Sequence, residues 1–438
     1  LDFPALDDPG DPHAPAELLT AHPDVANAIS RIVSAAGHMA AVVCAPFLTL
    51  CDAGMGYHLP SCLRFLETAH IPELLREAGT GGLHAREISA RIGVESVKTS
   101  HILRLLATHH LLRELRPDVF ALNRISGLLD SGKSFDELQI QYDKYDGIGG
   151  KAAFVALNTD ELFKASAYLT DFLLPHRTAF NLSQRTRSSF WAWLEAPGNE
   201  ARLKRFGRAM GGSEAWEGDG EGLGAHPFPG LPPDALVVDV GGGIGSSTMR
   251  LAGMFPRLRF VVQDRAAVCR IGEEAWRARC PELIEGGRVK FQGPIRAPAV
   301  FLVRVVCHDW PDALARRMLL QLRRAAREFG DGEGEEGTYL VIGDHVLPYA
   351  VAGEGGCLKG IEGARDVQTL RGAKWPLLAN LGKASANAYW MDLTMQVTFN
   401  GQERTLPELV ALAASAGWRI VRVAGTEGSL FGHIVAVP

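Results

Sequence analysis

The sequence predicts an α/β protein: a mostly parallel sheet of seven strands in the C-terminal half, preceded by an α-helical part that contains a winged helix. Three observations carry this expectation. After Asp234 short β-branched runs alternate with helical patterns (ALVVDV, LRFVVQD, RVKFQ, VFLVRVV, TYLVIGD), the texture of a parallel sheet covered by helices on both faces. Before that point apolar residues recur at spacings of three and four, the period of amphipathic helices. Between the two lies GGSEAWEGDGEGLGAHPFPGLPP, an acidic Gly/Pro-rich connector that marks a boundary.

In chain order, residues 1–22 form an acidic, Pro-rich N-terminal segment. Its lack of a basic start and apolar core speaks against a secretory signal. Residues 23–130 form the helical winged-helix region: LHAREISARIGVESVKTSHILRLLATHHLLREL reads as helix, Gly-containing turn and helix, and RPDVFALN as the wing. Within it the apolar run Met39 to Cys51 is interrupted by Pro46. It is too short for a bilayer, which needs about 20 residues, and is expected to be a core or dimer-interface helix. Residues 131–230 are a helical region with the aromatic stretch SSFWAWL, followed by the connector; residues 231–438 hold the sheet, with a loop insertion at 350–381. WRIVRVAG and FGHIVAVP, separated by a turn at Thr426 to Ser429, are expected to close the sheet as an antiparallel hairpin.

Composition excludes several classes of function. The 438 residues are 47% hydrophobic and 22% charged, an ordinary globular balance with room for more than one domain. A net charge of −5 gives no field to gather nucleic acid or an anionic membrane. The winged helix still calls for a DNA-binding regulator as an alternative, because Lys98, His101, Arg104 and Arg113 lie on or beside its second helix. Seven scattered cysteines without a C-x-x-C pair suggest neither disulfides nor a zinc knuckle, so a reducing, cytoplasmic location is expected.

The chemistry concentrates in the C-terminal half. VVDVGGGIG places a G-x-G-x-G loop, Gly241, Gly243 and Gly245, directly after a buried strand and before a helix. Asp264, nineteen residues beyond Gly245 at the end of the next strand, is placed to accept both hydroxyls of a ribose. A dinucleotide fingerprint would need a third glycine where Ser246 stands, so a nucleoside without phosphates fits better than NAD. Asp239 would repel phosphate and attract a cationic amino-acid head group. It has a second reading, as a cap for loop amides. His308 follows the strand VFLVRVVC at its C-terminal end, where ligands bind in open α/β sheets.

VVDVGGGIGSS, VVQD, FLVRVVCHDWPD, IGDHVLP, WMDLTMQ and NGQERT together resemble the dimeric S-adenosylmethionine (SAM)-dependent small-molecule O-methyltransferases of plant and fungal phenolic metabolism. The resemblance spans most of the chain. It implies a Rossmann-like methyltransferase domain and a homodimer formed through the winged-helix part. SAM would be the cofactor, S-adenosylhomocysteine the product and a phenolic small molecule the methyl acceptor; independently, no metal is expected because no acidic ligand cluster is visible near the motif, and no nucleic acid or membrane because the charge gathers neither. It also implies that His308 is the general base, that Asp344 and Glu403 flank it, and that Arg304 lies near the cofactor. Phe180, Trp191, Met210, Trp390, Met391 and Met395 are the implied pocket walls. Aromatic and methionine side chains serve apolar cores equally well, and His308 capping the helix after Pro311, or Glu403 pairing with Arg404, are the competing readings. The chain departs from the family after the third strand. The family's His-Asp-Phe-Phe stretch, whose Asp meets the adenine amino group, has no counterpart where FQG runs into PIRAPAVFLV. A catalytically impaired relative acting as a scaffold is therefore a second alternative.

Overall fold

The computed structural model describes residues 3–8, 10–11, 13–140, 144–147, 149–171, 178–212, 223–293, 295–326, 337–351, 358, 360–364, 367, 373, 376–425 and 430–438. Most of the connector, the turn Thr426 to Ser429, Pro294 and much of the 350–381 insertion lie outside the described residues. The chain forms two compact units, Leu1–Ala26 with Met39–Ala215, and Asn27–His38 with Trp216–Pro438.

The first unit is helical around a three-stranded sheet. Prolines start several of its helices: Pro46 opens Pro46–Met55 with Ala45 extended before it, and Pro72 stands in the first turn of Ile71–Ala78. Proline loses no helical hydrogen bond in the first turn and holds the preceding residue out of the helical region. Pro46 thus splits the early apolar run between two helices, Pro23–Val43 and Pro46–Met55. The run is not core, since Val43 is 79% exposed and Phe47 74%.

The winged helix has the expected form. β1 (Leu83–His84), β2 (Arg113–Arg116) and β3 (Val119–Ala121) lie in the order β1-β3-β2 around the helices Ala85–Ile92 and Ser96–Thr108. A capping box starts the first helix, with Arg86 N–H donating to the His84 ring and His84 N–H to Glu87, and Gly93 at φ 70° ends it. Leu66, Ile71, Leu75, Ile88, Leu103 and Phe120 fill the core beneath.

The second unit contains the expected seven-stranded sheet, in the order β6-β5-β4-β7-β8-β10-β9. The strands are β4 (Leu236–Val240), β5 (Arg259–Gln263), β6 (Val289–Phe291), β7 (Val300–Arg304), β8 (Tyr339–His345), β9 (Arg419–Gly425) and β10 (Phe431–Val437). The first five pair in parallel, while β10 runs antiparallel between β8 and β9. Successive strand residues point to opposite faces. Val238, Phe301 and Val303 therefore enter one core with Leu319, Leu409 and Trp418, and Val237, Val300 and Leu302 enter the other with Leu251 and Trp276. Burying each aliphatic side chain contributes about 1.5–3 kcal/mol, which explains why these strands read as unbroken apolar runs.

The described part of the insertion lies along the sheet edge. Glu362 N–H donates to Val421 O and Val423 N–H to Glu362 O, so backbone groups of β9 that an edge strand would leave open are covered.

Candidate active site

Chain order reverses at β4, with β5 on one side and β7 on the other. A crevice for a ligand opens at such a switch point, beyond the carboxyl ends of the strands. The glycine loop leaves β4 here, with Gly241 at φ 71°, Gly243 at φ 60° and Gly245 at φ 82°. A side chain on Gly241 would strike Val306 at 2.7 Å, and one on Gly245 would strike Trp276 at 2.9 Å. One on Gly243 would meet nothing within 4 Å. The loop is therefore packed from below and open at its middle glycine.

Asp264 Oδ2 accepts from Gly243 N–H at 2.8 Å, and Oδ1 from Arg265 N–H at 2.7 Å. The carboxylate is held at the loop with lone pairs to spare, which suits a diol. Asp239 is buried and accepts from Thr248 Oγ1 at 2.7 Å. Burial pushes its carboxyl up to about 6, against the Thr248 hydrogen bond. Arg304, at the end of β7, lies with its guanidinium 5.3 Å over the Phe431 ring. Trp276 belongs to no motif that marks it for this loop. It donates from Nε1 to Ile244 O at 2.9 Å and braces the loop.

His308 sits on a short turn, Cys307–Asp309, just beyond β7. The turn is reached through Val305, a β-branched residue at φ 55° whose N–H donates to Gly343 O at 2.8 Å. That conformation costs about 1–3 kcal/mol and persists only where surrounding contacts impose it. It turns the chain off the sheet so that the histidine faces the end of β8. His308 Nδ1 lies 2.6 Å from Glu403 Oε1 and 4.0 Å from Asp344 Oδ1, and Nε2 lies 3.6 Å from Asp309 Oδ1.

His308, Asp344 and Glu403 are buried and Asp309 is mostly so, and this burial acts on their protonation. Burial opposes a charged imidazole, but the charge and hydrogen bond of Glu403, with Asp344 and Asp309 behind it, push His308 up to about 10. Burial pushes Asp344 up to about 7 and Asp309 to about 6, against the attraction of His308. The carboxylates around His308 thus make its ring more basic than burial alone would allow.

His308 does not cap the following helix, Asp312–Ala325, which has no side-chain cap. Nor does Glu403 pair with Arg404. Glu403 turns inward to His308 and is oriented by Asp392, whose Oδ1 accepts Glu403 N–H at 2.9 Å, while Arg404 pairs with Asp312 at 2.9 Å. Asp392 lies in WMDLTMQ, but nothing in that motif alone marks its task. His308, Asp344 and Glu403 each offer a ligand atom within 4.8 Å of the others, a set that could hold a metal ion. Sequence spacing did not show this grouping, because Glu403 is 95 residues from His308.

The six pocket candidates fall into two sets. In the first unit Phe180 is fully buried, edge-on to Phe190 at 5.1 Å, and Trp191 is edge-on to Phe206 at 5.2 Å; Met210 packs against the helical core. In the second unit all three lie on the helix Ala386–Phe399: Met395 is buried, Met391 half-buried, and Trp390 is 57% exposed with Lys383 Nζ 5.0 Å from its ring.

A parallel-sheet domain with a glycine loop at its switch point, joined to a winged-helix unit, defines the class of SAM-dependent methyltransferases. The family model described as an O-methyltransferase domain matches residues 225–347. An O-methyltransferase of Armillaria gallica is 36% identical, over 97% of this chain and 91% of its own length. The 4-O-methyltransferase 1 of Phanerochaete chrysosporium is 33% identical, over 98% and 92%. Among solved structures, the O-methyltransferase NcsB1 from neocarzinostatin biosynthesis, in complex with S-adenosylmethionine and 2-hydroxy-5-methyl naphthoic acid, superposes with a TM-score of 0.61 at 19% identity, over 87% of this chain and 96% of that one. The chain belongs to the SAM-dependent O-methyltransferase family.

Proposed function

We propose that this enzyme methylates a hydroxyl of a small phenolic molecule, with His308 as the general base. The observation that carries the reading is the buried 2.6 Å contact between His308 Nδ1 and Glu403 Oε1. It holds the ring so that Nε2 is the nitrogen available to a substrate proton, and it stabilises the imidazolium that forms. SAM supplies a methyl group already activated by its sulfonium. Gly241, Gly243, Gly245 and Asp264 hold that cofactor, with Asp239 and Arg304 beneath and beside them. Asp344 and Glu403 orient His308 and keep the proton it accepts. The charge and hydrogen bond of Glu403 raise the basicity of His308 against burial, which favours transfer of the substrate proton to the ring. Trp390, Met391 and Met395, all on the helix Ala386–Phe399, are the proposed apolar walls for the aromatic ring.

Calorimetric titration with S-adenosylhomocysteine tests the cofactor site. One-to-one binding is expected, weakened about 10–100-fold in Asp264→Ala through the loss of charge-assisted hydrogen bonds. No binding by the folded wild-type protein would overturn active catalysis and leave the scaffold reading, for which the shortened link between β6 and β7 is the reason.

The proposed partners are a phenolic substrate and a second copy of the chain. Met39, Val42, Val43, Phe47, Leu48 and Leu50 are all more than half exposed over a short stretch, and exposed apolar clusters mark protein–protein contact sites. Sedimentation is expected to give about twice 47.3 kDa, and Phe47→Asp with Val43→Asp to give a monomer; a wild-type monomer at micromolar concentration would refute the dimer. DNA binding finds little support. Lys98 pairs with Glu95, Arg104 with Glu114 and Asp118, and Arg113 with Asp7, so much of the winged helix's positive charge is neutralised within the unit. Among the described residues no single helix is long and apolar enough to cross a membrane; the proposed cytoplasmic location rests on the six described cysteines, all free thiols.

A further inference from the structure

We infer that Arg404 is the positioning residue that locks the three segments of the acid–base cluster into one register. It rests on the reading of His308 as base. His308, Asp344 and Glu403 come from segments separated by 36 and 59 residues, so something must fix them against one another. Arg404 touches all three segments. Its side chain is 1% exposed, and its guanidinium donates from Nη1 to Cys307 O at 2.9 Å and from Nη2 to Trp310 O at 2.8 Å. These two carbonyls bracket His308 and Asp309. Nε donates to Asp312 Oδ1 at 3.0 Å, on the first residue of the next helix.

The backbone of the same residue reaches the other side. Leu347 N–H donates to Arg404 O at 3.0 Å, and Val346 bridges Arg404 in parallel, two residues past Asp344. Directly before Arg404 come Glu403, which holds His308, and Gln402, whose N–H donates to His308 O at 2.9 Å. Gly401 completes the lock, since a side chain there would collide with the His308 carbonyl oxygen. The rigid guanidinium fork suits this task. A lysine ammonium is a single point charge on a flexible stem and cannot span Cys307 O and Trp310 O with the same geometry.

The test compares Arg404→Lys, Glu403→Gln and the double variant. Arg404→Lys is expected to fold, to bind S-adenosylhomocysteine within about threefold of wild type, and to lose at least tenfold in kcat with little change in KM. Its pH–rate limb is expected to move to lower pH, as in Glu403→Gln, and the double variant to lose little beyond the worse single one, because both act through one contact. Wild-type kcat and pH profile in Arg404→Lys, or losses that multiply fully in the double variant, would overturn the inference. If His308→Ala stays active while Arg404→Lys is impaired, the base reading fails and the lock has some other purpose; if His308→Ala is inactive and Arg404→Lys is wild-type, only the lock fails. Should Arg404→Lys not fold, Asp312→Asn, which releases one exposed anchor of the fork, carries the same pH comparison.

Discussion

His308→Ala is expected to lower kcat by about 10²–10⁴-fold, the range for removing a positioned general base. A phenol is mostly protonated at neutral pH and is a poor nucleophile in that form. Glu403 cannot take the proton in its place, because it is fully buried and turned to the ring. The deficit should shrink as pH approaches about 10, where the phenol ionises unaided. Binding of S-adenosylhomocysteine should stay close to wild type, since the glycine loop and Asp264 lie on other segments. The measurement is steady-state methyl transfer to a panel of phenols across pH, with calorimetry alongside. A variant within tenfold of wild type would remove His308 from the reaction. A large deficit that persists unchanged at high pH would mean that His308 does something other than take a proton.

Glu403→Gln should move the pH profile and slow the reaction together. The free base is the working form, so kcat/KM rises with pH as the imidazole sheds its proton, toward a plateau above its raised value of about 10. Glu403 is the largest influence raising that value against burial. Its removal lets burial dominate, so the limb moves to lower pH, and each unit of movement measures about 1.4 kcal/mol of lost interaction. The plateau should fall about 10–100-fold, because a neutral amide does not stabilise the imidazolium. A limb that stays in place would show that Glu403 and His308 are not coupled during turnover.

The legible parts of the sequence were those whose chemistry is local. A strand, a tight loop and a helix cannot be joined over β4 without glycines, and the acid at the tip of the next strand follows by chain order alone, so Gly241 to Gly245 and Asp264 could be located before any coordinates. His308 was legible for the same reason, standing just past a strand end. Glu403 and Asp344 were reached only through resemblance, since nothing in NGQERT or IGDHVLP says that they meet a histidine far away in the chain. The buried status of Arg404 had no sequence signal, because arginine in a polar stretch reads as surface. Pro46 shows the opposite case: it marked a break in the early apolar run, but whether that run faces core or solvent was not written in its spacing.

The sequence by itself determined the fold class, the winged-helix module, the glycine loop and the strand end carrying His308, because periodicity, turn chemistry and chain order act over a few residues. Only the tertiary structure decided how close each carboxylate comes to His308, in which direction they move its basicity, and what holds the cluster in register. Those properties arise from burial and from distances between segments far apart in the chain. They come into being when the sheet closes.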